Sequence, residues 1–186
     1  MQLNPTLWRT CRVLAGPTRL RLLRLVLATP GNSVSQLAEE AEIHLSRASQ
    51  ELRRVQSRGL IGVKRQGSFV RYLPEPDPQV PSAHPLLLAM KAAFALGGAA
   101  QDKEIGLIAT ALSHPRRLLI YRELLDGPRT IPMLRMELRI PFDSLFRHLQ
   151  VLERGGLVRQ KNRIYRATRN SHPLAQCLAG MLKPAK

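Results

Sequence analysis

The sequence predicts a mainly α-helical fold with small β-hairpins, made of two tandem copies of one module. The first observation is an internal repeat, because a basic helix opens at residues 16–20 (Gly-Pro-Thr-Arg-Leu) and another opens at residues 114–118 (His-Pro-Arg-Arg-Leu). The second observation is that each opening is followed by a proline-marked break, a short helix and a second helix that ends at a Gly-Leu pair. A repeat of this length indicates two units, which we place at residues 1–100 and 101–186.

Helical periodicity and capping signals define the elements of the first module in chain order. Leu7, Cys11 and Leu14 recur at helical spacing, and Pro17 stands at a first helical position. Ser33 begins a capping-box pattern, and Ser46 is a plausible cap for the fourth helix. The predicted helices are 4–15, 17–28, 33–41, 47–58 and 84–97, and the predicted strands are 61–65 and 68–73.

The second module repeats the same order of elements. Its predicted helices are 102–113, 115–125, 131–138, 144–155 and 173–182, and a hairpin is predicted over 157–168. Each module therefore has the order α-α-α-α-β-β-α. Two helices that are joined by a short turn and followed by a hairpin have the layout of a winged helix-turn-helix.

The most distinctive motif of the second module lies in residues 143–158. Its strongest part is the pattern His148-Leu149-x-x-Leu152-x-x-x-Gly156-Leu157-Val158. This segment resembles the recognition helix of the ArsR/SmtB family of bacterial repressors, and the opening at 114–118 resembles the start of that family's second helix. The first module is similar but matches more loosely, since Glu51 stands where the second module has His148. The resemblance implies two tandem winged helix-turn-helix modules.

The first and last helices of each module form the dimer interface in the resembled family. Because this chain contains both copies, the resemblance implies an intramolecular pseudo-dimer that is a monomer in solution. The alternative is that each last helix covers only its own module. In the pseudo-dimer, the expected contacts join Leu86, Leu87, Met90 and Phe94 to Leu174, Cys177, Leu178 and Met181.

Basic residues are distributed over both modules. The chain has 29 Lys and Arg against 13 Asp and Glu, a formal net charge of +16, of which +7 falls in residues 1–100 and +9 in residues 101–186. A shared positive charge of this size favours a polyanionic partner, and we expect that partner to be double-stranded DNA. The alternative is an Arg-rich composition that reflects the codon bias of the genome.

Base reading is expected from the N-terminal half of each recognition helix, which can present side chains to base edges in the major groove. Arg can bridge guanine and Gln can bridge adenine. Phe146 either contacts a thymine methyl group or lies in the core. The alternative for the whole set is an ordinary solvated helix face. The candidates are Ser46, Arg47, Ser49, Gln50 and Arg53 in the first module and Asp143, Ser144, Phe146, Arg147 and Gln150 in the second.

Cations on the two predicted wings are expected to meet the DNA backbone. Such contacts add affinity and fix the register with little sequence information. The helices and wings of the two modules differ, so we expect an asymmetric binding site rather than a palindrome. The wing candidates are Lys64, Arg65 and Arg71 around a tip at residues 66–68, and Arg159, Lys161, Arg163 and Arg166.

The metal-sensing motifs of the resembled family are missing from this sequence. The third helices carry no Cys-x-Cys motif, and we expect no metal and no cofactor. His84 and His172 each precede a proline, where a role in starting a helix is favoured over metal ligation. Met133 and Met136 are expected in the core rather than at a soft-metal site.

Cys11 and Cys177 are too few for a disulfide scaffold, and we expect buried apolar thiols. The alternative is a redox pair or a thiolate metal site. The sequence has no phosphate-binding Gly loop, metalloprotease motif or nucleophile elbow, so we do not expect an enzyme. It also lacks a signal-peptide pattern and an apolar stretch long enough to span a bilayer, so we expect no membrane partner and a cytoplasmic, nucleoid-associated location.

The predicted function is that of a sequence-specific, double-stranded DNA-binding transcriptional regulator, a repressor by its family resemblance. Its effector, if it has one, is not identified by the sequence. One alternative is a replication-initiation or mobile-element protein that holds an origin or a DNA end. Another is a nonspecific architectural protein or an adaptor that docks onto a larger complex through its apolar helices.

Overall fold

The computed structural model of the chain describes residues 7–67 and 69–183. Residues 4–6 of the predicted first helix and Ser68 of the predicted wing tip lie outside them. The described elements of the first half are α1 (Leu7–Leu14), α2 (Pro17–Ala28), α3 (Val34–Glu40), α4 (Leu45–Gln56), β1 (Gly62–Gln66), β2 (Phe69–Leu73) and α5 (Ala83–Ala95). β1 pairs antiparallel with β2 in a hairpin, with Val63 opposite Tyr72.

The second half repeats this order with one addition, a two-residue strand after its second helix. Its elements are α6 (Gly98–Ala111), α7 (Pro115–Asp126), β3 (Arg129–Thr130), α8 (Ile131–Leu138), α9 (Phe142–Arg154), β4 (Val158–Lys161), β5 (Ile164–Ala167) and α10 (Pro173–Leu182). β5 lies between β4 and β3 in an antiparallel sheet. Sequence analysis does not predict β3, because two residues show no alternation of apolar and polar side chains. The predicted mainly helical fold with small hairpins is confirmed, and none of the described helices is long and apolar enough to cross a membrane.

Local capping explains where several helices begin. The Ser33 hydroxyl accepts a hydrogen bond from the backbone N–H of Gln36, whose side chain in turn accepts from the Ser33 N–H, so the predicted capping box is confirmed. His172 caps α10 by accepting from the N–H of Leu174 at 3.1 Å, as expected. His84, by contrast, is an exposed residue of the first turn of α5.

The two candidate recognition helices begin earlier than predicted. α4 begins at Leu45 after His44, and Ser46 therefore lies inside the first turn rather than at the cap. α9 begins at Phe142 after Pro141, which is pre-set for a helix boundary by its fixed φ. Each helix thus gains residues at its N-terminal end, the end that was expected to read bases.

The buried apolar side chains of both halves form one continuous cluster. α5 packs against α10 and α1 packs against α6, so the first and last helices join the two halves. The expected contact between the last helices is confirmed, and the alternative in which each covers only its own half is wrong. The side chains from these two helices within the cluster are Leu86, Leu87, Met90, Phe94, Leu174 and Leu178, with Cys177 and Met181 partly buried against it.

An arginine at the matching position of each half makes the same hydrogen bond to the preceding helix. The Nε atom of Arg19, in the first turn of α2, donates to the carbonyl oxygen of Val13 at 2.6 Å. The Nε atom of Arg117, in the first turn of α7, donates to the carbonyl oxygen of Ala111 at 2.7 Å. Each guanidinium donates to a carbonyl at the C-terminal end of the preceding helix, where carbonyls lack the helical partner four residues ahead. The sequence repeat is therefore matched by a repeated set of hydrogen bonds.

Candidate nucleic-acid interface

The turns that precede α4 and α9 have the same backbone geometry. Glu42, between α3 and α4, and Arg139, between α8 and α9, each adopt a left-handed conformation with φ of 51°. A left-handed residue is uncommon outside glycine, and here it allows a short helix to be followed at once by a second helix in a new direction. Both halves therefore contain a helix, a tight turn and a second helix with an exposed face.

α4 presents its predicted base-reading side chains to solvent. Its opposite face, which carries Leu52 and Val55, is buried against the helices before it. Arg47 is exposed and its Nη2 atom donates to the Thr18 hydroxyl at 3.3 Å, which links the side chain to the start of α2. The remaining candidates of the first half are Ser46, Gln50 and Arg53, which are exposed, and Ser49, which is half-buried.

The first hairpin holds its three candidate cations in different ways. Arg65 is exposed, and Lys64 is exposed with its Nζ atom 3.3 Å from a carboxylate oxygen of Glu75. Arg71 is half-buried and donates to the Gln66 side chain at 2.7 Å and to the Gly31 carbonyl at 2.9 Å. Arg71 thus ties the hairpin to the loop after α2. Of the three, Arg65 is the best placed for a phosphate.

α9 has a more apolar exposed face than α4. Phe146 is 40% exposed, so the core alternative for this residue is wrong. Its ring stacks on that of Phe142, with ring centroids 6.2 Å apart, and Phe142 is 48% exposed. Sequence reasoning missed Phe142, although its spacing of four residues from Phe146 is the signal that places both on one face. Asp143, Arg147 and Gln150 are exposed, and Ser144 is half-buried.

Two methionines of α8 are exposed as well. The prediction that Met133 and Met136 lie in the core is wrong, because they are 40% and 77% exposed. Leu134 of α8 lies in the core and Ile131 and Leu138 pack against it, so Met133 and Met136 fall on the opposite face of this eight-residue helix. We call Met133, Met136, Phe142 and Phe146 the apolar patch of the second half.

The second hairpin presents all four predicted cations to solvent. Arg159 and Arg166 face each other directly across the two strands, an arrangement of like charges that is unfavourable without an anion. A cleft of about 320 Å³ is lined by both and by Lys161. Asn162 and Arg163 form the turn, and both have positive φ, as expected for a two-residue hairpin turn. This wing is a suitable phosphate contact.

A buried carboxylate anchors α4 to α2. Glu51 accepts hydrogen bonds from Arg19 and Arg54, each at 2.8 Å. Burial raises the pKa of Glu51, but the hydrogen bond and charge of Arg19, together with those of Arg54, outweigh it and hold this pKa below its usual range. Sequence analysis missed this network, because it links positions that are far apart in the sequence. The only signal in the sequence is the excess of arginine near Glu51.

The corresponding position of the second half holds a neutral histidine. The rings of His148 and His114 lie 4.8 Å apart. Burial, together with the positive charges of His114, Arg117 and Arg116, lowers the pKa of His148 to about 4. An uncharged His148 can therefore pack beside Arg117, which occupies the place that Arg19 has beside Glu51.

Replacement of His148 by Gln is expected to flatten the pH dependence of stability below neutrality. The pKa of His148 is lower in the folded chain than the ordinary value of 6.5, so the unfolded chain binds the proton more tightly. The free energy of unfolding of the wild type should then fall between about pH 6.5 and pH 4, by about 1 kcal/mol from this group after allowance for solvent screening. Urea unfolding at several pH values measures the difference, and parallel curves for the two proteins would contradict the prediction.

The two thiols lie near each other in the shared core. Cys11 is buried and Cys177 is half-buried, and both are free. Burial raises the pKa of Cys11 to about 12, with a further contribution from Cys177, and burial also raises the pKa of Cys177. Thiols with raised pKa values are poor nucleophiles, which favours the interpretation of Cys11 as a buried apolar side chain. Within residues 7–67 and 69–183, no three His, Cys, Asp or Glu side chains are grouped as metal ligands.

Comparison with known proteins assigns no family. No protein-family model matches the chain, and no curated protein matches it. The interface is therefore defined by its own residues: two exposed helices that follow matched turns, and two hairpins that carry exposed cations.

Proposed function

We propose that the chain is a sequence-specific, double-stranded DNA-binding transcriptional repressor, made of two winged helix-turn-helix modules of the ArsR/SmtB type. The observation that carries the proposal is the repeated placement of a helix with an exposed face, α4 or α9, after a tight turn and before a basic hairpin. The formal net charge of +16 supports a polyanionic partner. In this proposal the N-terminal ends of α4 and α9 enter major grooves and the hairpins contact phosphates.

The packing of α5 on α10 and of α1 on α6 supports a pseudo-dimer within one chain. A single molecule then carries two reading helices, and no second copy is needed to form a site with two halves. The halves are not identical, so the preferred DNA site is expected to be asymmetric. This differs from the palindrome that a symmetric dimer would prefer.

The experiment that tests the proposal selects preferred duplexes from a random pool and measures the mass of the complex by light scattering. We expect one protein chain per duplex and an enriched, asymmetric sequence. Selection without enrichment would refute sequence-specific reading. Two chains per site, with four reading helices, would refute the fused pseudo-dimer.

Arg65→Ala is expected to weaken binding to all duplexes alike and to lower the slope of log affinity against log salt by about one unit. The reason is that an exposed wing cation meets a phosphate and carries no base preference. Lys91→Ala is a matched control, because Lys91 is an exposed cation on α5, outside the proposed interface. A change of sequence preference in the Arg65 variant, or an equal salt effect in the control, would contradict this assignment.

One observation favours a second candidate function, that of an adaptor. The apolar patch of the second half is unusual for a DNA-reading surface and suits a protein partner. In that case the second half would dock onto a larger complex while the first half reads DNA. Phe146→Ser would then leave DNA affinity unchanged, whereas a loss of DNA affinity would favour the first proposal.

A further inference from the structure

A groove of about 530 Å³ lies between α1 and the C-terminal end of α4, away from the residues proposed to read bases. Its lining contains five arginines and Trp8, which is the single tryptophan of the chain. A volume of this size falls within the range of small-molecule sites, about 300–1,000 Å³. The lining residues are Trp8, Arg9, Arg12, Val13, Arg19, Arg54, Ser57 and Arg58.

The positive charge of this groove is only partly neutralised. Glu51 pairs with Arg19 and Arg54. No ion pair to Arg9, Arg12 or Arg58 is present in the described part of the chain. Like charges gathered around one cavity repel each other unless an anion lies among them. The groove is therefore electrostatically suited to a ligand with at least one negative group.

Trp8 adds a planar apolar surface to the site. The guanidinium of Arg9 lies over its ring, 5.1 Å from the centroid, so the aromatic ring positions one of the cations. Arginine binds phosphate through two parallel hydrogen bonds, and tryptophan stacks on flat rings. A phosphate joined to an aromatic ring satisfies both parts of the lining.

The corresponding place in the second half is closed. Gly155 stands where the first half has Arg58, and a Cβ atom there would lie 2.5 Å from the Cβ atom of Ala111 and 3.1 Å from the carbonyl oxygen of Leu107. α6 therefore approaches α9 at the point where α1 leaves the groove open. Of the other four arginines, only Arg19 is retained, as Arg117, while Leu107, Thr110 and Val151 replace Arg9, Arg12 and Arg54. The basic groove is thus a feature of the first half alone.

We propose that this groove binds a small phosphorylated aromatic molecule of the mononucleotide class. Its position favours a free small molecule over the backbone of the DNA that α4 would read. Arg54, which lines the groove, lies about 10 Å along α4 from Arg47, toward the end of the helix that is directed away from a major groove entered by its N-terminus. The ligand site itself does not depend on DNA binding.

The emission of Trp8 provides a direct test with the full chain. Adenosine 5′-monophosphate, adenosine and inorganic phosphate are titrated separately, with excitation at the red edge of tryptophan absorption, where the nucleotide does not absorb. We expect a saturable change with the mononucleotide and affinities weaker by about tenfold or more for the two fragments, because each fragment meets only one part of the lining. Isothermal titration calorimetry gives an independent readout.

The double variant Arg12→Ala/Arg58→Ala is expected to weaken mononucleotide binding by about tenfold or more. Arg135→Ala/Arg139→Ala is the matched control, since both arginines are exposed and lie outside the groove. Far-UV circular dichroism shows whether each variant is folded. Mononucleotide binding that survives in the first variant, or that is absent from the wild type, overturns the proposal.

A duplex oligonucleotide provides the other arm of the test. The groove would be a contact for the DNA backbone, and the proposal wrong, if three results occur together. These are quenching of Trp8 by the duplex, loss of duplex affinity in the Arg12→Ala/Arg58→Ala variant, and no effect of the mononucleotide. If the protein binds the mononucleotide but no duplex, the ligand site stands and the proposed DNA-binding function fails. The two failures are therefore distinguishable.

Discussion

Arg19→Ala is expected to lower the free energy of unfolding by about 3 kcal/mol, which is the cost typical of breaking a buried ion pair by removing one partner. The side chains of Arg19 and Glu51 are only 20% and 12% exposed. Without Arg19, Glu51 keeps only Arg54, whose side chain is 57% exposed. The variant also loses the hydrogen bond to the Val13 carbonyl.

Arg117→Ala is the matched comparison, and we expect a loss of about 1 kcal/mol. Arg117 makes the same hydrogen bond to the preceding helix but faces His148 rather than a carboxylate. Its removal also relieves a positive charge beside His148. Urea unfolding followed by far-UV circular dichroism compares the variants, and equal losses would show that the Glu51 pair contributes little.

The decrease in the free energy of unfolding caused by Arg19→Ala should depend on pH. The pKa of Glu51 is lowered in the folded chain, so the stability that this carboxylate contributes is present above its ordinary titration range and is lost as the pH falls through it. The difference between the wild type and the variant should therefore shrink in acid. A difference that stays constant would mean that Arg19 stabilises the fold through its carbonyl contacts alone.

Arg47→Ala and Gln50→Ala are each expected to weaken binding to the selected duplex by about 1–3 kcal/mol, or about 5-fold to 150-fold, and to relax its sequence preference. Both side chains are exposed on the N-terminal half of α4, where hydrogen bonds to base edges can form. Electrophoretic shifts on the selected duplex and on single-base variants measure the effect. If Arg47→Ala weakened every sequence equally, α4 would not be the reading helix.

The two halves of the selected site should contribute unequally. Scrambling the half under the first module should abolish specific binding, because α4 offers Arg47, Gln50 and Arg53 and exposes a large apolar side chain only at its first residue, Leu45. Scrambling the other half should cost less, since Asp143 is repelled by phosphates unless it accepts from cytosine, and the second wing serves mainly as a phosphate clamp. Footprinting on both scrambled duplexes decides the matter. Equal losses, or the reverse order, would mean that Phe146 and its neighbours read bases.

Element order and several helix bounds were predictable, because their signals are local. The helices 17–28, 131–138 and 173–182 match the structure, and each has a proline at its first or second position. Both α4 and α9 begin two residues before the predicted start: the predicted cap Ser46 lies within α4, and the predicted first residue Ser144 lies within α9. Capping residues predict a boundary only when the competing candidates nearby are weaker.

Features that depend on distant contacts were not predictable. The exposure of Met136 depends on which face of α8 packs against α7 and α9, and that face carries Leu134 instead. The Arg19–Glu51–Arg54 network joins α2 to α4, and the basic groove needs α1 and α4 side by side. The repeat nevertheless helps to locate such sites once the structure is known. Positions that align between the two halves but carry residues of different charge show where the halves have diverged.

The packing of α5 on α10 within one chain has a consequence for assembly. In a homodimer this contact would dissociate on dilution, and its stability would depend on protein concentration. Here the two helices belong to the same molecule, so the midpoint of unfolding should not depend on concentration. Every substitution in a homodimer also occurs on both sides of the interface, whereas this chain can change one side alone. Cys11 and Cys177 are examples of such one-sided changes. The position that matches Cys11 holds Ala109, and the position that matches Cys177 holds Ala89.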